Sequence, residues 1–170
     1  EGARSVVVCA ISYNRPPAAG VASRIASYAR GRDYHPVLKE KLHELLAYIR
    51  DLHPGTSGRV FVDTAPILEK SWAAEAGVGR IGRHSLLIVP GLGSFVVLGL
   101  IVTDAELEPD PPFLAPDPCG SCRACIEACP VGAIGNDRTI DASLCISRRT
   151  IEAEAGDEGD LHGWIFGCDI

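Results

Sequence analysis

Four cysteines within eleven residues, in the stretch CGSCRACIEACPVGAI from Cys119 to Ile134, constrain this chain more than any other feature. Thiolates at two-residue intervals in a tight turn reach three corners of one 4Fe-4S cubane, whereas a Cys followed by Pro points toward a second cluster. The spacing therefore assigns Cys119, Cys122 and Cys125 to one cluster and Cys129 to another. Zinc sites use two ligand pairs split by a longer loop, which three cysteines at this interval do not supply. After Cys129 only Cys145 and Cys168 remain. If those two share a cluster with Cys129, each cluster lacks one thiolate. Two further cysteines, spaced as CxxCxxxCP from Cys168, would complete both. The chain is thus expected to be part of a longer protein, truncated at its C-terminal end, and inactive alone with incomplete clusters.

Seven cysteines, four of them packed into eleven residues at metal-ligand spacing, and no signal peptide imply a reducing, cytoplasmic setting. No apolar run approaches the roughly 18 residues that span a bilayer; the longest, FVVLGLIV from Phe95 to Val102, has strand length. Proline is dense from Pro109 to Pro118 (PDPPFLAPDP), which predicts an extended linker and two units, residues 1–110 and 117–170. The net charge of −6 argues against a surface that grips nucleic acid throughout, yet it is uneven. Residues 1–59 carry nine basic and five acidic side chains, net +4, so the remainder carries −10. A basic first third can face a polyanion or simply be solvated.

RSVVVCAISY, Arg4–Tyr13, predicts a strand buried on both faces, with Cys9 in the core rather than a ligand. From His35 to Leu52 the apolar residues fall on one helical face; Pro36 suits the first turn and His53-Pro54-Gly55 the end. A strand follows from Arg59 to about Asp63, then a helix from Pro66 to Ala76. Strands at His84–Val89 and Ser94–Thr103 are expected to form a hairpin through Pro90-Gly91-Leu92-Gly93. The order predicts an α+β fold, a mixed sheet with flanking helices. Beyond Cys119 a helix over Asp141–Ile151, capped by Asp141, and a loop at 156–163 are expected.

Three further stretches carry candidate chemistry. GVGRIG, Gly77–Gly82, fits GxGxxG but follows a helix and precedes a strand, the wrong order for a dinucleotide site. Its glycines still let backbone approach a flat or bulky group. Asp63, in VDTAP, ends a strand before a helix; it is an N-cap, or a proton donor if an enclosed site beside an apolar cofactor raises its pKa. ARGRDYH crowds Arg30, Arg32, Tyr34 and His35 before a helix, either an ordinary polar loop or part of a binding site.

In order and combination, ARSVVVCAISY, SYARGRDYHPVLKEKL, VDTAPILEKSWAAEAGVGRIGRHSLLIVP, GSFVVLGLIVTD, the cysteine run, LCIS and GCDI resemble the epoxyqueuosine reductases over nearly the whole chain. The resemblance implies reduction of epoxyqueuosine to queuosine at the wobble position of transfer RNA. It implies a cobalamin-binding domain, related to nitroreductase and B12-chaperone folds, followed by a ferredoxin-like module with two 4Fe-4S clusters. It also implies an N-terminal segment ahead of this sequence and a C-terminal helical-repeat tail that helps hold RNA. Asp63 then matches the proton donor, Arg30, Tyr34, His35, Gly77, Gly79, Gly82 and Ser85 the cofactor and substrate pocket, and the six cysteines from Cys119 to Cys168 the cluster ligands. Expected partners are the transfer RNA and an electron donor such as flavodoxin, ferredoxin or a reductase, with the protein a monomer. Arg80, Arg83-His84, Leu100 and Arg148-Arg149 depart from the family's usual residues. Two other functions compete: a cobalamin-dependent reductive dehalogenase, and an electron carrier whose first hundred residues only dock a partner.

Overall fold

The computed structural model describes residues 2–111, 116–152 and 159–169. Nine regular elements follow one another: β1 (Ser5–Ser12), α1 (Tyr34–Leu52), β2 (Gly58–Phe61), α2 (Glu69–Glu75), β3 (Arg80–Ile81), β4 (Leu87–Ile88), β5 (Val96–Thr103), α3 (Ala124–Ala128) and α4 (Ile146–Ile151). The fold is α+β, with a main sheet in the order β1-β5-β2. Ser5 lies opposite Thr103 and Ser12 opposite Val96, while Gly58 faces Thr103 and Phe61 faces Leu100.

Both sheets therefore contain antiparallel pairs only, in place of the mixed sheet expected. Helix α1 returns β2 parallel to β1, but β5 runs between them in the opposite sense. The parallel pairing found among the described residues is an isolated bridge between Ile25 and Phe166. Because β5 is central, Leu98, Gly99, Leu100, Ile101 and Thr103 are buried. β1 is an edge strand: apolar side chains pack on both of its faces, as expected, but its residues stay only half-buried.

Alternation along β1 divides the core in two. Val7, Cys9 and Ile11 face α1, where Leu38, Leu42, Leu46 and Ile49 recur at helical spacing and pack on Val62 and Ile101. Val8 and Ala10 face the opposite layer, Ala73 of α2 with Leu87, Val89 and Leu98. Cys9 is thus a core residue, and burial pushes its thiol pKa up. The α1 start is fixed by Asp33, whose carboxylate accepts the His35 amide N–H at 2.9 Å.

Several predicted boundaries move. Helix α2 starts at Glu69, not Pro66, because tight turns with Ile67 N–H bonded to Ala65 O and Glu69 N–H to Ile67 O occupy the preceding residues. The Pro90–Gly93 turn is present, with Gly93 N–H bonded to Val89 O at 2.8 Å. The flanking strands then part, β4 joining β3 and β5 joining β1 and β2. Helix α4 starts at Ile146, not Asp141; Asp141 instead closes a turn, its carboxylate taking the Ser143 amide and hydroxyl and its carbonyl the Cys145 amide. The linker expected around 109–118 and the loop at 156–163 lie partly outside the described residues. No helix among the described residues is long and apolar enough to cross a membrane.

Gly99 sits where α1 presses on β5: a Cβ there would stand 2.6 Å from Leu42 Cδ1 and 3.0 Å from Leu38 Cδ2. A glycine inside a strand marks such a close approach. Gly99→Ala is expected to lower unfolding free energy by about 1–3 kcal/mol in urea titration through overpacking; an unchanged midpoint would show that α1 has room to shift.

Candidate functional site

Beyond β2 the chain turns sharply at Asp63, whose φ of 56° is left-handed. Asp tolerates that region better than most residues, at a cost that the surroundings must offset. Here Glu69 supplies the restraint: its Oε1 accepts the Asp63 amide N–H at 2.7 Å. Asp63 does not cap α2, so the N-cap reading fails. Its carboxylate instead meets His35, with Oδ2 3.2 Å from Nε2, while His35 Nδ1 lies 2.6 Å from Asp33 Oδ1. Tyr34 stacks on the imidazole, ring centres 4.1 Å apart.

These contacts set the titration behaviour of the group. Burial pushes the His35 pKa down, but hydrogen bonds to Asp33 and Asp63 outweigh it and the pKa is raised. Both ring nitrogens can donate to carboxylates only when the imidazole is protonated. Asp33 is held below the usual carboxylate range by the His35 amide and ring. Burial pushes the Glu69 pKa up, and the hydrogen bond from the Asp63 amide offsets this only in part. The Asp63 side chain is 62% exposed.

Asp63 stands on the rim of an open cavity of about 590 Å³. Tyr13, Tyr28 and Tyr34 form one wall, joined edge to face at 6.0 and 6.2 Å between ring centres. Burial, then the charge of Asp169, pushes the Tyr13 phenol up to about 12. Val96, Val97 and Leu98 of β5 contribute another side, and Leu68, Ile81 and Leu86 add apolar surface. Leu68 and Leu86 are 76% and 44% exposed although they line it. Four non-glycine residues among those described have a left-handed backbone, and three of them, Asp63, Ser85 and Arg138, line this cavity. Backbone strain of that kind collects at functional sites.

A second, mostly apolar cavity of about 180 Å³ brings Cys129, Cys145 and Cys168 together with His84 and Leu86. Leu86 lines both cavities. The Cys129 sulfur accepts the Ala133 amide N–H at 3.3 Å. His84 is neutral by construction: Nδ1 accepts the Leu86 N–H, Nε2 pairs with Ser94 Oγ at 2.9 Å, and burial, reinforced by Lys70, lowers its pKa. Cys119 Sγ accepts the Arg83 amide N–H at 3.3 Å, Cys122 follows in the same turn, and Cys125 rides on α3. None of the seven cysteines forms a disulfide. Among the described residues no three potential ligands stand close enough for a single metal ion. Thiolates that bind different irons of a cubane need not.

The two halves of the chain are tied together. The Arg83 guanidinium reaches Gly120 O at 2.8 Å and Asn136 O at 3.4 Å. Ser85 Oγ donates to Arg138 O, and Arg138 pairs with Asp117 at 2.6 Å. Ile165 N–H and Phe166 O bond Arg24 O and Ala26 N–H, both at 2.8 Å. Asp169 takes the Ser27 amide at 2.5 Å and Arg30 at 3.3 Å.

Of the residues singled out from sequence, Tyr34, Asp63 and Ser85 line the large cavity and His35 touches Asp63. Arg30 turns to Asp169 and Ser27. Gly77, Gly79 and Gly82 do not line it; Gly79 lets backbone reach β4, since a Cβ would stand 2.3 Å from Ile88 O. Glu69, Asp169, Arg138, Tyr13 and Tyr28 went unread. Asp169 had a signal in its place beside Cys168; the others had none in local pattern.

A raised histidine pKa adds stability that is complete below the unfolded value of about 6.5 and lost as pH rises through the folded value. The destabilisation caused by His35→Gln, measured by urea unfolding, is accordingly expected to be larger below about pH 6 than above about pH 8. An equal loss at both would mean that His35 is not charged here.

Comparison with known proteins agrees with these features. The family model "Epoxyqueuosine reductase QueG, DUF1730" matches residues 1–64, and "4Fe-4S double cluster binding domain" matches residues 118–170. An epoxyqueuosine reductase from Gloeobacter violaceus is 43% identical over 99% of this chain and 54% of its own length; one from Cyclobacterium marinum is 43% identical over 100% and 57%. The chain thus spans about half the length of these curated relatives. Among solved structures, epoxyqueuosine reductase from Streptococcus thermophilus superposes with a TM-score of 0.87 at 31% identity, over 99% of this chain and 48% of that one. An epoxyqueuosine reductase with an epoxyqueuosine-modified tRNA-Tyr stem loop gives 0.85 at 31% identity, over 99% and 47%.

Proposed function

Because this chain belongs to the epoxyqueuosine reductase family, we propose that it carries the reaction centre for reducing epoxyqueuosine to queuosine in transfer RNA. In this reading residues 1–110 hold cobalamin and substrate, and residues 117–170 hold two 4Fe-4S clusters. The observation that carries it is the cavity on whose wall Asp63, Ser85 and Arg138 are strained, separated by Leu86 from the hollow of Cys129, Cys145 and Cys168. The exposed Leu68 and Leu86 side chains fit a flat apolar macrocycle, which would cover them. The three converging thiols fit a cluster corner set, and Cys119, Cys122 and Cys125 would ligate the other cluster. Converting an epoxide to an alkene consumes two electrons and two protons and releases water. Cobalamin, when bound, supplies the two-electron reducing chemistry, fed through the clusters.

The remaining tasks fall to side chains. Asp63 protonates the departing oxygen, and its exposure at the rim lets it reach a bulky polynucleotide. His35, bonded to Asp63 and Asp33, holds that carboxylate in place and keeps a proton nearby. Glu69 fixes the left-handed turn through the Asp63 amide. Tyr34 packs His35 and offers an aromatic face to the corrin or the base.

In a chain extended to the full length of its relatives, Asp63→Asn is expected to lower turnover on an epoxyqueuosine-containing stem loop by on the order of 10²–10⁴-fold with cobalamin affinity unchanged; retained turnover would reduce Asp63 to a structural turn residue. Cys145→Ala should lower iron content after anaerobic reconstitution by about half, since it removes a ligand of one cluster only. Titration of cobalamin with no spectral change would instead favour a plain electron carrier.

A further inference from the structure

A third cavity, of about 340 Å³, adjoins the large one and shares Tyr13, Tyr28, Tyr34 and Val97 with it. Its character is different. Arg15 and Arg32 line it together with Ser12, Asn14 and Ser27, and no acidic residue does, whereas Asp63 and Glu69 both line its neighbour.

Most other arginines of the basic first third are engaged. Arg4 pairs with Glu106, Arg30 with Asp169, Arg24 donates to Gly163 O, and Arg59 lies over the Phe61 ring. Among the described residues Arg15 and Arg32 have no ion pair or hydrogen bond. Both come from the segment between β1 and α1 and line the same cavity. The Arg15 guanidinium lies against the backbone of Gly31, where a Cβ would come within 2.8 Å of Nη2 and 3.0 Å of Nη1. Two guanidinium groups with fixed donor forks and neutral polar neighbours match an oxyanion with several acceptor oxygens, not a carboxylate-poor apolar ligand. The two cavities meet at a wall of three tyrosines and Val97, and aromatic faces are the kind of surface on which an unstacked base lies while its backbone runs past.

We propose that Arg15 and Arg32 form a phosphodiester subsite beside the reaction cavity, and that it takes the backbone of the RNA on one side of the reacting nucleotide. This rests on the function proposed above. The nucleotide tail of cobalamin offers the same chemistry, so the test separates the two sources.

The chain with Arg15→Gln and Arg32→Gln would be compared with wild type and with a charge-matched control, Lys41→Gln with Arg50→Gln on the exposed face of α1. RNA stem-loop affinity would be measured by fluorescence anisotropy across a salt series, and cobalamin and tail-less cobinamide affinities by absorbance. Losing phosphate contacts on a single strand makes log K against log salt shallower by roughly 0.7 per contact, here roughly 1.4 for two. That change, with both corrinoid affinities and the control unchanged, is the expected result. An unchanged RNA slope with weaker cobalamin but not cobinamide binding would keep the phosphodiester site and overturn the RNA as its occupant. If wild type binds both ligands and the double variant matches the control, the subsite is refuted. If wild type binds neither, the function proposed above fails first.

Discussion

The buried pairing of Arg30 with Asp169 is the contact on which the joint architecture depends. The two side chains are 17% and 11% exposed and come from residues 139 positions apart. Asp169 also takes the Ser27 amide, so the segment carrying Cys168 is pinned to the loop that precedes α1. A buried pair of this sort contributes little net stability, because desolvation offsets attraction. Removing one partner is another matter, since the other charge is left buried and unpaired, typically at about 3–5 kcal/mol. The pair thus acts as a specification of which loop meets which.

The same loop then enters α1 through Asp33, Tyr34 and His35, so one short stretch of chain answers to two masters. Its start is held by the cysteine-bearing half, and its end by the carboxylates around Asp63. Displacing Asp169 would therefore be felt at His35 through the nine residues Ser27–His35, which run from a 3-10 turn at Ser27–Arg30 into the start of α1. The antiparallel sheet sets the other boundary: β5, central and buried, delivers Val96–Leu98 to the cavity floor and leaves the strained turns at Asp63 and Ser85 above it.

Much of this was legible in the sequence for reasons that are local. The leucine spacing from Leu38 to Ile49 gave α1 within a residue, and the cysteine spacing gave the grouping of Cys129, Cys145 and Cys168 that one cavity now contains. What escaped were features that depend on distant partners. β1 has apolar cover on both faces, as its composition says, but composition is silent about its place at the edge of the sheet. Val89 and Gly93 do make a turn, but their strands choose other partners across the sheet. In GVGRIG, Gly79 and Gly82 lie close against Ile88 of β4, Gly79 most closely. Glu69 is the clearest omission, an ordinary helix-start glutamate in sequence whose carboxylate holds the amide of Asp63 in its left-handed turn.

Leu86 belongs to the walls of both principal cavities. Whatever fills those two spaces therefore meets the same aliphatic side chain from either side. Electron tunnelling falls steeply with distance, so under the proposed function the width of a single leucine becomes the insulator whose gauge sets how fast charge crosses, and a residue with no chemistry of its own acquires control over the chemistry on either side.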